Sequence, residues 1–180
     1  LSPLGLGGLT YGVSVKEMAA AYGIFVNGGK YIKPHTYTKV IDNKGKLLLD
    51  NNPQEESSIS KDTSYIVTSL LTSVIEGKNG TGKLAKLSRM PTAGKTGTTN
   101  NDNDKWFVGY TPYYVGAVWY GFDQPASIRN AGVTNNVSAK LWGMVMEKVH
   151  ADLAVKEFEK PTGIIEEKIC TSTGKLASSG

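Results

Sequence analysis

Apolar residues Val15, Met18, Ala19, Tyr22, Phe25 and Val26 recur at helical spacing and trace one stripe. Ser14 and Glu17 have the S-x-x-E spacing of a capping box at the start of that stripe, and Gly28 and Gly29 stop it. Ahead of it, "LSPLGLGGLTYG" is glycine-rich and apolar, which predicts a close-packed loop because Leu1, Leu4, Leu6 and Leu9 need burial. Strand character over residues 36–41, a turn at 42–45 and a return over 46–50 predict a β-hairpin, and the polar "NNPQEESS" predicts a loop. A second helix should begin after Ser60 or Asp62 and end at Gly77, with Ile66, Val67, Leu70, Leu71 and Val74 on a broad apolar face. "KNGTGK" reads as a turn, followed by a short helical piece over 84–87. Strands are expected at about 93–99, 105–110 and 113–122, and the tight Thr111-Pro112 link makes the last two antiparallel neighbours. A third helix should span about 136–153, with Val137, Leu141, Met144, Val145 and Val149 on one side.

Helices set around an antiparallel sheet make this an α+β fold. The chain has 180 residues, 39% of them hydrophobic and 20% charged, which suits one globular unit with a sizeable core. Its net charge of +4 is mild and the lysines are spread, so no dense basic patch argues for nucleic acid, and no nucleic-acid partner is expected. One cysteine, Cys170, excludes an internal disulfide and a multi-cysteine metal site, and His35 and His150 stand far apart in sequence, so no metal is expected. No apolar run reaches the roughly 18 to 20 residues of a membrane span. The chain opens on Leu1 without a signal-like segment and reads as a piece of a longer protein. Residues 1–155 form the expected folded portion, and 156–180 a loosely held tail or the start of a following segment.

The chemistry concentrates in "PTAGKTGTTNNDND", residues 91–104. A phosphate loop would need G-x-x-x-x-G-K-[ST], but Arg89 stands where its first glycine belongs and no convincing helix begins at Thr96. An edge strand without chemistry is a second reading, since lysine blunts an exposed sheet edge and threonine favours strands. The third is the wall of a catalytic cleft. Side chains alternate along a strand, so Thr96 and Thr98 share one face. Gly97 between them has no Cβ and lets a ligand lie close. The long stem of Lys95 can carry its charge around to a carboxylate or a nearby hydroxyl. A backbone N–H on such an edge can meet a developing oxyanion.

The ordered set "LGGLTYGVSVKEMAAAYGIFVNGGKYIKP", "AGKTGTT", "DKWFVGYTP" and "VGAVWYGFD" resembles the later half of the transpeptidase domain of class A penicillin-binding proteins, from about Leu6 to Leu153. The resemblance implies a partial penicillin-binding and serine β-lactamase-like transpeptidase fold. It also implies a serine D,D-transpeptidase that cross-links peptidoglycan stem peptides and is acylated by β-lactams. No cofactor is then required. Lys95, Thr96 and Gly97 would be the K-T-G motif, Thr96 and Thr98 would bind the substrate or antibiotic carboxylate, and the Thr98 N–H would be an oxyanion donor. The parent protein would lie on the outer face of the bacterial cell membrane, anchored by an upstream segment and preceded by a glycosyltransferase domain.

That mechanism also needs a nucleophile in S-x-x-K and a second motif S-x-N. No S-x-N occurs in the chain. Ser58-Ile-Ser-Lys61 lies only 37 positions before Lys95 at a helix entry, and Ser172-Thr-Gly-Lys175 lies after the K-T-G strand, so both read as chance. The expectation is a chain that supplies the K-T-G strand but needs the missing N-terminal half of the domain for its nucleophile. Alternatively, it is a catalytically incomplete module that binds peptidoglycan or a partner without chemistry. Trp106, Phe107, Trp119 and Tyr120 are expected to fill the core, with Trp142 either in it or at its edge.

Overall fold

The computed structural model describes residues 9, 11–170 and 172–176. Helix α1 spans Val15–Val26, α2 Lys61–Glu76 and α3 Val137–Val149; the strands are β1 Lys30–Ile32, β2 Lys39–Ile41, β3 Leu47–Asp50, β4 Glu55–Ser57, β5 Ala93–Thr98, β6 Lys105–Tyr110 and β7 Val115–Tyr120. The mixed α+β architecture agrees with the hydrophobic pattern.

Local chemistry sets the helix ends. The Ser14 hydroxyl accepts from the Glu17 N–H at 3.2 Å, and Glu17 accepts back from the Ser14 N–H at 2.8 Å, completing the capping box. These bonds to Ser14 hold the Glu17 carboxyl below its ordinary range. Ser60 caps α2 by accepting from the Thr63 N–H at 3.1 Å. After α1 the chain turns through Gly28 and Gly29 at φ 62° and 90°. A Cβ on Gly29 would lie 2.0 Å from the Ile59 carbonyl oxygen, so glycine is required there twice over.

Strands β5, β6 and β7 form one antiparallel sheet in that order. Thr96 stands opposite Phe107 and Thr98 opposite Lys105, while β6 continues the register with Phe107 opposite Val118. Alternation then puts Phe107 on the face covered by α3, and Trp106, Val108 and Tyr110 on the face covered by α1. Gly94, Gly109 and Gly116 are register partners across all three strands. A Cβ on any of them would come within 2.6 to 2.8 Å of Phe107, Trp142 or Met146, so this glycine row is the seat of the aromatic core. Phe107 and Trp142 meet edge to face with centroids 5.2 Å apart, joined by Ile75, Ala85, Leu87, Met90, Ala139 and Met146. Trp142 is therefore core. Tyr120, expected in the core, is 43% exposed at the end of the edge strand β7.

Several elements differ from the sequence reading. β1 pairs with β4, although Glu55–Ser57 lies in the stretch expected to be a loop. Lys30, opposite Ser57, reaches diagonally to Glu55, opposite Ile32, and bonds to it at 2.5 Å, an attraction between polar residues that hydrophobic periodicity does not register. In the hairpin, only Lys39–Ile41 and Leu47–Asp50 pair, with a register shift between Val40 and Ile41. α3 ends at Val149, where His150 caps it. β7 is shorter than expected, and the helical piece after the turn is a 3₁₀ turn at Lys83–Ala85.

The apolar face counted on α3 is also the outer one: Leu141, Met144, Val145 and Val149 are exposed, while Ser138, Ala139, Trp142, Gly143 and Met146 are buried. The helix comes so close to the 3₁₀ turn that a Cβ on Gly143 would sit 2.8 Å from the Leu84 carbonyl oxygen. Gly143 permits this close approach, and Trp142 and Met146 on the same side enter the core. α2 behaves similarly, burying Ser64, Thr68 and Ile75 and exposing Ile66 and Leu70. Its buried hydroxyls are satisfied, Ser64 donating to the Phe25 carbonyl at 2.5 Å and Thr68 to that of Ser64 at 2.9 Å. Since Thr68 has one proton, the Tyr110 hydroxyl 2.9 Å away is the donor of the remaining bond.

Of the expected close-packed N-terminal loop, Leu1, Leu4 and Leu6 lie outside the described residues and Leu9 is exposed. Beyond α3, Phe158 packs its ring edge to face on Tyr110 at 5.6 Å.

Candidate active-site cleft

Among the described residues β5 has a strand on one side only, and a cleft of about 590 Å³ runs along it, with residues 95–100 as its polar wall. Met18 and Tyr22 of α1, with Trp106, Val108 and Trp119 of the sheet, supply the apolar lining. Trp106 and Trp119, expected in the core, are half-buried and belong to this lining. An apolar floor beside a few convergent polar groups is the usual make-up of a small-molecule site.

Lys95 is exposed, with its Nζ donating to the Thr96 carbonyl at 3.0 Å, so its charge rests beside its own strand at the cleft. Gly97 stands opposite Trp106, and a Cβ there would lie 3.0 Å from that residue's Cβ. Its bareness thus makes room first for the neighbouring strand. Thr96 is half-buried and shares a hydrogen bond of 2.8 Å with Thr81, from the turn after α2. Thr98 is exposed, and its hydroxyl accepts from Lys105 Nζ at 3.4 Å in a part-buried hydrogen bond. Lys105 is nearly buried and bonds to Asp102 at 2.6 Å, and Arg129 bonds to the other oxygen of Asp102 at 2.9 Å. The hydrogen bond from Lys105, helped by Arg129, holds the Asp102 carboxyl below its ordinary range.

The loop beyond β5 is tied down by Asp104. Its Oδ2 accepts from the Thr99 hydroxyl at 2.7 Å, and its Oδ1 accepts from Trp119 Nε1 at 2.9 Å. Between these anchors Asn101 and Asp102 take φ values of 62° and 52°, left-handed backbone in residues other than glycine. Behind the sheet, Asn136 caps α3 by accepting from the Ala139 N–H at 2.9 Å and donates to the Trp106 carbonyl at 3.2 Å, which pins the helix to the strand beside the cleft.

Lys95, Thr96, Gly97 and Thr98 are therefore gathered on one cleft. Ser58 and Lys61 are not brought to it: Ser60 of that stretch caps α2, and Lys61 borders a separate hollow of about 450 Å³ that shares no lining residue with the cleft. Ser172 and Lys175 fall in a terminal turn bridged by Ile169 and Leu176. Among the described residues, no cluster of His, Cys, Asp and Glu could hold a metal ion, and no helix is long and apolar enough to cross a membrane. Thr81, Asp102, Asp104 and Lys105 were not legible as site residues. Polar residues in turns and at strand ends are common, and only the packing of α2 on β5 and the β5–β6 register bring these to the cleft.

The penicillin binding protein transpeptidase domain model matches residues 1–141. Penicillin-binding protein 1A of Clostridium acetobutylicum is 42% identical over 153 residues, covering 85% of this chain and 18% of that protein. The protein of the same name from Clostridium perfringens is 41% identical, covering 93% of this chain and 19% of its own length. The chain thus spans about a fifth of these curated relatives. Among solved structures, penicillin-binding protein 1A from Haemophilus influenzae superposes with a TM-score of 0.78 at 25% identity, covering 93% of this chain and 31% of that one. PonA1 from Mycobacterium tuberculosis gives 0.68 at 27% identity, over 82% of this chain and 41% of that one. The cleft, the sheet and the sequence agree on one ancestry, and the chain belongs to the penicillin-binding protein transpeptidase domain family, in its class A group.

Proposed function

We propose that this chain supplies one wall of the active site of a peptidoglycan D,D-transpeptidase, and that another part of the full-length protein supplies the serine nucleophile. The observation that carries this reading is the edge of β5 that no strand covers among the described residues, where Lys95, Thr96 and Thr98 line a cleft with an apolar floor. The names of the relatives support it, as does the absence of any S-x-N tripeptide from the chain. By the same reading, the full-length protein works on the outer face of the bacterial membrane on stem peptides, and β-lactams occupy the same cleft. Residues 1–155 are then the part that folds with the rest of the domain.

In the reaction, the serine oxygen adds to the penultimate D-Ala carbonyl of a stem peptide. The tetrahedral oxyanion collapses, the C–N bond to the terminal D-Ala breaks, and the serine proton ends on the departing amine. The amine of a second stem then attacks the acyl-enzyme ester, forming the cross-link and returning the proton to serine, so one hard step becomes two easier ones. Thr96 and Thr98 hold the terminal carboxylate, the Thr98 N–H receives the oxyanion, and Lys95 adds positive charge where negative charge develops.

A fluorescent penicillin tests both halves of the proposal. It should label the full-length protein and leave the isolated chain unlabelled. Lys95→Ala in the full-length protein should slow acylation by about 10²- to 10³-fold with the fold retained. A label on a serine of the isolated chain, or an acylation rate unchanged by Lys95→Ala, would overturn the corresponding assignment.

A further inference from the structure

The two hydroxyls of the cleft strand are each met by a residue outside the K-T-G motif, and at Thr98 the direction of the bond is forced. An ammonium group has donors and no acceptor, so Lys105 can only donate and the Thr98 oxygen must accept. The Thr98 proton is then free to point away from Lys105, into the cleft, as a donor to an anion. We propose that Lys105 is a positioning residue for carboxylate recognition, orienting the Thr98 hydroxyl and placing a nearly buried positive charge behind it. This inference rests on the reading of Thr98 as a carboxylate-binding residue.

The surroundings suit that task. Lys105 and Thr98 are register partners on β6 and β5, so the pairing of two strands sets their approach. Asp102 holds the ammonium in place at 2.6 Å and is itself held by Arg129 at 2.9 Å. Lys105 and Arg129 are matched in charge by Asp102 and Asp104, so what favours an anion at Thr98 is the nearness of the Lys105 ammonium. Asp104 is committed to Thr99 and Trp119. The left-handed backbone at Asn101 and Asp102 is the conformation that delivers the Asp102 carboxylate to Lys105, and such backbone persists only where its surroundings over-determine it. Lys105→Met would leave the aliphatic stem in place and remove the charge and the forced donor.

The test uses the full-length protein and two probes, benzylpenicillin and its methyl ester, which lacks the anion. Lys105→Met should lower the second-order acylation rate for benzylpenicillin about tenfold, mainly through weaker binding, and leave the slow acylation by the ester unchanged. Lys105→Arg should restore most of the loss. Undiminished acylation by benzylpenicillin, or an equal loss with both probes, overturns the proposal. If Lys105→Met does not fold, Lys105→Gln carries the same comparison: a loss confined to the acid supports the role, and no loss or an equal loss refutes it. Thr98→Val separates this inference from the one beneath it. Should Thr98→Val also fail to discriminate acid from ester, the carboxylate reading of Thr98 falls. Should it discriminate while the Lys105 variants do not, only the role of Lys105 falls.

Discussion

Strands β6 and β3 both carry runs of bulky apolar side chains in antiparallel pairings, yet β6 buries five of its six residues and β3 exposes all four. The difference lies in what covers them. β6 has β5 and β7 on its flanks, α1 over one face and α3 over the other. Among the described residues, β3 has only β2 beside it and no helix packed on either face. An apolar strand is an offer of burial, and the fold decides whether it is taken up. The cleft belongs to the covered sheet, so Lys95, Thr96 and Thr98 stand on a strand whose neighbour is fixed from both faces. Rigid backing of this kind is what the positioning of a substrate needs.

The sharpest way to break this contrast is at its centre. Phe107→Ala should destabilise the domain by about 3 to 5 kcal/mol in chemical denaturation of the full-length protein, because the ring is wholly buried against Trp142 and a void would remain. A loss below about 1 kcal/mol would mean that the sheet is not the structural centre.

A second prediction concerns the opposite face. Burial pushes the Tyr110 hydroxyl up to about 12. The folded value lies above the unfolded one of about 10, so this stability is fully present below pH 10 and is lost as pH rises through 12. About 3 kcal/mol should disappear across that window. Tyr110→Phe should flatten the alkaline fall, at a cost of about 1 kcal/mol at neutral pH for the lost bond to Thr68. An alkaline profile unchanged in the variant would remove Tyr110 from the account.

The smallest effect is expected in the hairpin. Leu48→Asp should change stability by no more than about 0.5 kcal/mol, since Leu48 is 54% exposed. A loss of 2 kcal/mol in the full-length protein would show that another part of that protein covers β3, and the contrast between the strands would then belong to this chain alone.

Particular residues show how much could be read without coordinates. Ser14 and Glu17, Ser60, and Asn136 act through bonds to N–H groups within three residues, so spacing alone located the starts of the helices. Thr96 and Thr98 share a face because alternation is a property of any strand. The pairing of β1 with β4 joins segments some twenty-five residues apart through backbone and a lysine–glutamate contact, and no hydrophobic period announces it. Thr81 reaches Thr96 across a turn, and Lys105 reaches Thr98 across a ladder; both contacts are consequences of docking.

What the sequence by itself determined was the three helices with their caps, the hairpin and the K-T-G strand with its neighbours, since each follows from interactions between residues a few positions apart, whereas the β1–β4 pair does not. The tertiary structure decided which side of each element is inside. On α3 the face with Leu141, Met144, Val145 and Val149 lost to the one with Ala139, Trp142, Gly143 and Met146, because Gly143 lets the helix approach the Lys83–Ala85 turn while Trp142 and Met146 enter the core. At the cleft it decided that Thr96 and Thr98 are held by Thr81 and Lys105, because only the packing of α2 against β5 and the register of β5 on β6 bring those polar groups within hydrogen-bond distance.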